Sequence, residues 1–196
     1  MPPMPDPTSI ASLCDDLAAE HAVLDCIVSD LSDEQWLLAT PAEPWTIRDQ
    51  IAHLAYFDER AVEAATRPEE FAAHVATVAA DIESTMERHL ELGGRDGPAT
   101  LEHWRSVRAA MLGVLRRLDP EGRVLWYGPA MSASSFITAR LMETWAHGQD
   151  VADALGIERA ASTRLRHVAF LGVRTFAWSH QVRGLPVPDS PPRVEL

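Results

Sequence analysis

Glu143 and His147, two residue types that commonly bind metal ions, lie four positions apart in the segment TARLMETWAHGQDVADALG. On an α-helix this spacing places both side chains on one face, with Cβ atoms roughly 5–6 Å apart. A carboxylate and an imidazole placed in this way can chelate one divalent cation. Arg140 and Asp150 extend the same stripe in both directions. The stripe is therefore either part of a metal site or a row of solvated polar side chains.

The apolar residues of the same predicted helix, 132–155, are compatible with the solvated alternative. They share the face opposite Glu143: Ile137, Leu141, Trp145, Ala152 and Leu155. Such a division is typical of any amphipathic surface helix. The Glu-x-x-x-His spacing also occurs at Glu70 and His74, so the spacing alone does not establish a site.

A second predicted helix, 46–66, offers a matching polar and aromatic face. Thr46 and Asp49 form a capping-box pattern at its start, and the face carries Asp49, His53, Tyr56, Phe57 and Arg60. If the two helices face each other, His53 joins Glu143 and His147 in a set of two histidines and one glutamate. Three protein ligands of this kind are typical of catalytic zinc sites, which keep a coordination position open.

Composition restricts the class of protein. The 196 residues carry a formal net charge of −12, which argues against nucleic acid or an anionic membrane as the main partner. No apolar run approaches the ~20 residues needed to span a bilayer. The N-terminal MPPMPDP does not resemble a signal peptide, so we expect a cytoplasmic location.

The chain is predicted to be almost wholly helical, without strands until its last residues. Helices are expected at about 10–30, in the short segment SDEQW, and at 46–66, 68–91, from a Thr100 cap through Leu115, 132–155 and 163–183. The segment DPEGRVLWYGPAM is the longest irregular connection and its end is a candidate loop over the site. We expect a helical domain over 1–185 and a proline-rich tail over 186–196, whose RVEL resembles the first strand of a further C-terminal domain.

Two segments together, WTIRDQIAHLAYFD and ARLMETWAHGQDVADALG, resemble the metal-binding domain of the mycothiol-dependent maleylpyruvate isomerases. That family lies within the DinB-like superfamily, and the resemblance extends from the first helix to about residue 184. It implies an all-α fold, an up-down four-helix bundle with additional short helices. It also implies metal ligands at His53, Glu143 and His147. The metal would be zinc in most cases, although the same donors suit nickel, iron or manganese.

The resemblance implies a role for Asp150, and the positions of further residues beside the predicted ligands indicate roles for them as well. Asp150, one turn after His147, would accept the free N–H of that imidazole. Asp49 would do the same for His53, or would serve only as a helix cap. Arg140 would hold a substrate or cofactor carboxylate, or form a salt bridge to Glu143 or another helix. The remaining candidates for substrate or cofactor contacts are aromatic: Trp45, Tyr56, Phe57 and Phe136.

These features leave three hypotheses for function. The first is a thiol-dependent isomerase or transferase, in which a metal activates a thiolate, with mycothiol as the cosubstrate and an electrophilic small molecule as the substrate. If the metal bound water instead, it would favour hydrolysis. The second is a non-catalytic metal-binding or thiol-sensing module, and the third is a metal-free helical interaction domain. A homodimer through exposed apolar helix edges is also compatible with the sequence.

Overall fold

A computed structural model of the chain describes residues 9–80, 95–190 and 192–195, and within these ranges the fold is helical. The prediction of an all-α fold is confirmed. The elements in chain order are α1 (Ile10–Val28), α2 (Asp33–Trp36), α3 (Ile47–Thr66), α4 (Pro68–Ala80), α5 (Gly97–Leu115), β1 (Arg123–Val124), β2 (Met131–Ser132), α6 (Ala133–Leu155) and α7 (Leu165–Val182).

Four of the helices in the described ranges form a bundle. Helices α1 and α3 each pack against both α5 and α6. Their apolar faces build two clusters of buried residues. One contains Leu17, Met111, Phe136 and Ile137, and the other contains Trp36, Ile51, Leu54, Trp104 and Val151. In the described part of the chain, no helix is both long and apolar enough to cross a membrane.

Polar caps set the helix starts, and one cap differs from the prediction. Thr46 and Asp49 form the predicted capping box at the start of α3. Helix α5 is capped by Asp96, whose Oδ1 accepts the Ala99 N–H at 2.8 Å, and the prediction of Thr100 was wrong. Pro98 in the first turn explains the earlier start, because its missing N–H needs no partner there. The Thr100 hydroxyl donates instead to the Asp96 carbonyl at 2.9 Å.

The connection between α5 and α6 contains a short hairpin that the sequence did not predict. Arg123 pairs with Ser132 and Val124 with Met131 in two antiparallel strands of two residues each. Arg193, Val194 and Glu195, the described part of the predicted strand RVEL, lie in no strand. The predicted helix over 68–91 is described as far as Ala80, and the rest of it lies outside the described residues.

A polar layer crosses the bundle with one residue from each of its four helices. The Arg140 guanidinium of α6 donates to Asp58 Oδ1 of α3 through Nε at 3.2 Å and Nη2 at 2.8 Å. The indole of Trp104 on α5 donates to Asp58 Oδ2 at 3.2 Å. His21 of α1 meets the Trp104 ring edge to face, with centroids 5.7 Å apart. All four side chains are buried, so the layer fixes how the helices sit against one another.

Breaking the Asp58–Arg140 pair should destabilise the protein far more than breaking a surface pair. Asp58→Asn leaves the guanidinium of Arg140 buried and uncompensated, which costs about 3–5 kcal/mol of unfolding free energy. Chemical denaturation measures this loss, and the double variant Asp58→Asn/Arg140→Met should recover part of it. Arg67→Met, which breaks the exposed pair of Arg67 with Glu70, is the control and should cost less than about 1 kcal/mol. Equal costs for the two single variants would contradict this account.

The imidazole of His21 is held neutral inside the bundle. Burial lowers its pKa from 6.5 to about 3, and the nearby positive charges of Arg108 and Arg140 act in the same direction. The unfolded chain therefore takes up this proton at a higher pH than the folded chain does. The contribution to stability is complete above about pH 6.5 and is lost as the pH falls toward 3.

The pH dependence of stability should report this imidazole. Between about pH 6 and pH 4 one proton taken up on unfolding lowers the unfolding free energy by about 1.4 kcal/mol per pH unit. Urea denaturation across this range should be compared for wild type and His21→Leu. The carboxylates titrate in both proteins, so the difference between their unfolding free energies reports His21 alone. Parallel pH profiles for the two proteins would show that His21 is not buried in neutral form.

Candidate metal centre

The structure brings His53, Glu143 and His147 together at the junction of α3 and α6. Each offers one ligand atom, and these atoms all lie within 4.8 Å of one another. Glu143 Oε2 is 3.3 Å from His147 Nε2 and 3.9 Å from His53 Nε2. Since Glu143 and His147 share one helix face and His53 comes from another helix, the bundle itself sets their separation.

Burial of the three side chains is uneven. The side chains of His53 and His147 are 12% and 15% exposed, whereas that of Glu143 is 34% exposed. The site is therefore closed on the imidazole side and reaches solvent near the carboxylate. A cation held by these three groups would have room for a further ligand on the open side.

The protonation states favoured here are those that a metal requires. Burial lowers the pKa of His53, although the neighbouring Glu143 carboxylate opposes that shift. Burial also opposes ionisation of Glu143, but hydrogen bonds from His147 and His53 outweigh it and hold the pKa of Glu143 well below its usual range. A carboxylate and a neutral imidazole are the forms that bind metal ions. The donor set therefore fits a divalent cation.

Trp45 forms a wall over both imidazoles. Its ring centroid lies 4.7 Å from that of His53 and 5.8 Å from that of His147, and it is nearly parallel to the latter. The loop before α3 holds Trp45 there, because the Thr40 N–H and hydroxyl both donate to the Trp45 carbonyl at 2.9 Å. This places Trp45, one of the aromatic candidates for substrate or cofactor contacts, beside both imidazoles.

Phe57 closes another side of the same site. Its ring centroid lies 4.6 Å from that of His53. It also lies 6.1 and 5.6 Å from the ring centroids of Trp126 and Tyr127 in the hairpin connection. The connection identified from sequence as a loop over the site therefore reaches it through Phe57. Tyr56 precedes Phe57 on α3 and contacts His74 instead of the imidazoles of the site. The hydroxyls of Tyr56 and Tyr127 lie 3.4 and 2.9 Å from His74 Nε2.

The structure places Gln50 between His147 and Asp150. Gln50 Oε1 contacts His147 Nδ1, and Gln50 Nε2 donates to Thr40 Oγ1 at 2.8 Å and to Asp150 Oδ2 at 3.4 Å. The contact predicted for Asp150 with His147 thus passes through an intervening amide. The carboxylate of Asp49 accepts from the N–H and hydroxyl of Thr46, at 2.9 and 2.6 Å, which is the capping alternative.

Two candidates for substrate contacts have other partners. Arg140 is 2% exposed and donates twice to Asp58, the interhelix salt bridge that the sequence left open. Phe136 is fully buried in the core, with its ring 5.2 Å from that of Trp126. Phe136 therefore packs under the hairpin and does not form a wall of the site.

Sequence reasoning missed Gln50, Thr40 and Asp58. A signal existed for Gln50 and Asp58, since each interrupts the apolar positions of α3 and both are completely buried. A buried polar side chain requires hydrogen-bond partners, so such interruptions mark contacts with other elements. Thr40 carries no comparable signal, because its role depends on how the loop folds back.

Comparison with known proteins identifies the family of this chain. The chain belongs to the family of the mycothiol maleylpyruvate isomerase N-terminal domain, whose sequence pattern matches residues 17–152. An uncharacterized protein of Mycobacterium tuberculosis, found in strains H37Rv and CDC 1551, is 44% identical over 183 residues. That match covers 92% of this chain and 71% of the relative.

Solved structures show the same fold. A crystal structure of the mycothiol-dependent maleylpyruvate isomerase superposes with a TM-score of 0.70 at 15% identity. It covers 91% of this chain and 73% of that one. A histidine-to-alanine mutant of that enzyme gives a TM-score of 0.69 at 13% identity, with the same coverage. At these identities the likeness extends to the fold and not to the chemistry.

Proposed function

We propose that this protein binds one divalent metal ion, preferably zinc, through His53, Glu143 and His147. We further propose that it uses the metal ion together with a low-molecular-weight thiol such as mycothiol. The observation that carries the proposal is the convergence of two imidazoles and one carboxylate from two helices at a site that opens to solvent beside the carboxylate. Family membership supports the choice of thiol. We expect the protein to act in the cytoplasm, where such thiols are available.

A bound divalent ion would lower the pKa of a thiol and hold it as a thiolate at neutral pH. The residues around the site supply the rest of the environment. Trp45 and Phe57 cover the imidazoles and keep water from that side, which strengthens electrostatic interactions within the site. The open side beside Glu143 is where a thiol and a small electrophile would enter.

The reaction class is a reversible addition to an electrophilic double bond. The thiolate forms a C–S bond to one alkene carbon, and the alkene electron pair moves to the adjoining carbonyl. The former double bond is then free to rotate. Return of the electron pair breaks the C–S bond, regenerates the thiolate and leaves the trans alkene, with no net oxidation. If the electrophile carries a leaving group, the same thiolate would displace it, which is the transferase variant.

Metal content tests the ligand assignment. The purified protein should hold about one zinc per chain by elemental analysis, and His53→Ala, Glu143→Ala and His147→Ala should each lose most of it, because two remaining ligands bind zinc weakly. Glu70→Ala is a matched control, since Glu70 has the same spacing to a histidine but is exposed and paired with Arg67. Full zinc content in His53→Ala/His147→Ala would contradict the assignment.

Turnover separates an enzyme from a binding module. With mycothiol and a cis-alkene diacid related to maleylpyruvate, the zinc-loaded protein should convert cis to trans isomer, and the conversion should require both thiol and zinc. The His147→Ala variant should be slower by at least about 100-fold, which corresponds to about 2.7 kcal/mol of transition-state stabilisation. Stoichiometric zinc without turnover of any thiol and electrophile pair would favour the non-catalytic module.

A further inference from the structure

The loop before α3 determines which groups around Gln50 donate hydrogen bonds and which accept them. The Thr40 hydroxyl donates its single proton to the Trp45 carbonyl at 2.9 Å. Its oxygen is therefore an acceptor toward Gln50, whose amide lies 2.8 Å away. An acceptor at this position requires the NH₂ end of the Gln50 amide to face Thr40.

Asp150 fixes the amide in the same orientation. Its carboxylate oxygen lies 3.4 Å from Gln50 Nε2 and only accepts hydrogen bonds when ionised. Rotating the amide by 180° would place the Gln50 carbonyl oxygen against two acceptors. Because Gln50 is completely buried, water does not relieve such a clash of acceptors. The carbonyl oxygen of Gln50 must therefore face His147.

We propose that Gln50 is a positioning residue that selects which nitrogen of His147 binds the metal. Gln50 Oε1 accepts a hydrogen bond, so His147 Nδ1 must carry a proton. Nε2 donates to Glu143 when it also carries a proton, and in the neutral imidazole it is the nitrogen whose lone pair can bind a metal. Nε2 is the nitrogen that faces Glu143, at 3.3 Å. The inference rests on the proposed metal site and adds that a neutral amide, anchored by Thr40 and Asp150, holds His147 in its metal-binding form.

This arrangement also links the Trp45 wall to the ligand. The carbonyl of Trp45 orients Thr40, Thr40 orients Gln50, and Gln50 orients the imidazole against which the Trp45 ring lies. Loop and ligand are thus set by one chain of hydrogen bonds. Removing the hydrogen-bond partner of a metal-binding histidine typically lowers metal affinity by about 10–100-fold.

Three variants test the proposal. Gln50→Leu removes the acceptor and should weaken zinc binding by about 10–100-fold in competition with a chelator. Gln50→Glu/Asp150→Asn restores an acceptor for Nδ1–H and turns position 150 into an amide donor, so that two carboxylates do not face each other. The Thr40 hydroxyl can turn to donate to the new carboxylate, and this double variant should bind zinc within a few-fold of wild type. Gln149→Leu is the matched control on α6, since the Gln149 amide donates to Asp153 at 2.8 Å in an exposed hydrogen bond, and it should bind zinc as wild type does.

Nitrogen-15 NMR of the histidine rings supplies a readout that a loss of stability alone would not change. In the zinc-loaded wild type, His147 should show a slowly exchanging Nδ1–H and a metal-bound Nε2. The Nδ1–H should lose its protection in Gln50→Leu but keep it in Gln50→Glu/Asp150→Asn. Unprotected Nδ1–H in the wild type, or zinc affinity unchanged in Gln50→Leu, would overturn the proposal.

The same experiment distinguishes this inference from the metal assignment. If the wild type binds no zinc, the metal site fails. The orientation of the ring is then read in the metal-free protein at a pH where both ring nitrogens are protonated. A protected Nδ1–H that is lost in Gln50→Leu would still support the role of Gln50, and an Nδ1–H that exchanges equally in both proteins would refute it.

Discussion

The buried ion pair between Asp58 and Arg140 is the interaction on which the rest of the structure depends. It joins α3 to α6, and through Trp104 and His21 the same polar layer reaches α5 and α1. Two charges buried in this way tolerate only a narrow range of helix positions, because any shift would leave one of them unpaired. The pair therefore fixes the relative position of the two helices that carry the candidate ligands.

The position of the site follows from that constraint. Arg140 lies one turn before Glu143 on α6, and Asp58 lies a little over one turn after His53 on α3. Once the ion pair forms, His53 must come close to Glu143 and His147. The aromatic residues Trp45 and Phe57 then cover the imidazoles, and Gln50 contacts His147 at Nδ1. Stability and site geometry are thus produced by adjacent turns of the same two helices.

The sequence was sufficient for the fold and for the three candidate ligands, because helical periodicity and two specific motifs carry that information. Spacing alone was not sufficient, as the Glu70–His74 pair shows: Glu70 binds Arg67, while His74 contacts Tyr56 and Tyr127. The sequence did not show which residues Arg140, Asp150 and Phe136 contact, since these contacts depend on which residues of other elements lie opposite them. The Asp96 cap and the short hairpin depend on local turns that periodicity does not report.

The central claim is that two imidazoles and a carboxylate hold a metal ion with a position left for a thiol. X-ray absorption at the zinc edge of the loaded protein tests it most directly. The account predicts a shell of nitrogen and oxygen neighbours at about 2.0–2.2 Å, including two imidazoles, and a new sulfur neighbour at about 2.3 Å after a thiol is added. A zinc shell that contains sulfur before the thiol is added, or one that the thiol leaves unchanged, would contradict it.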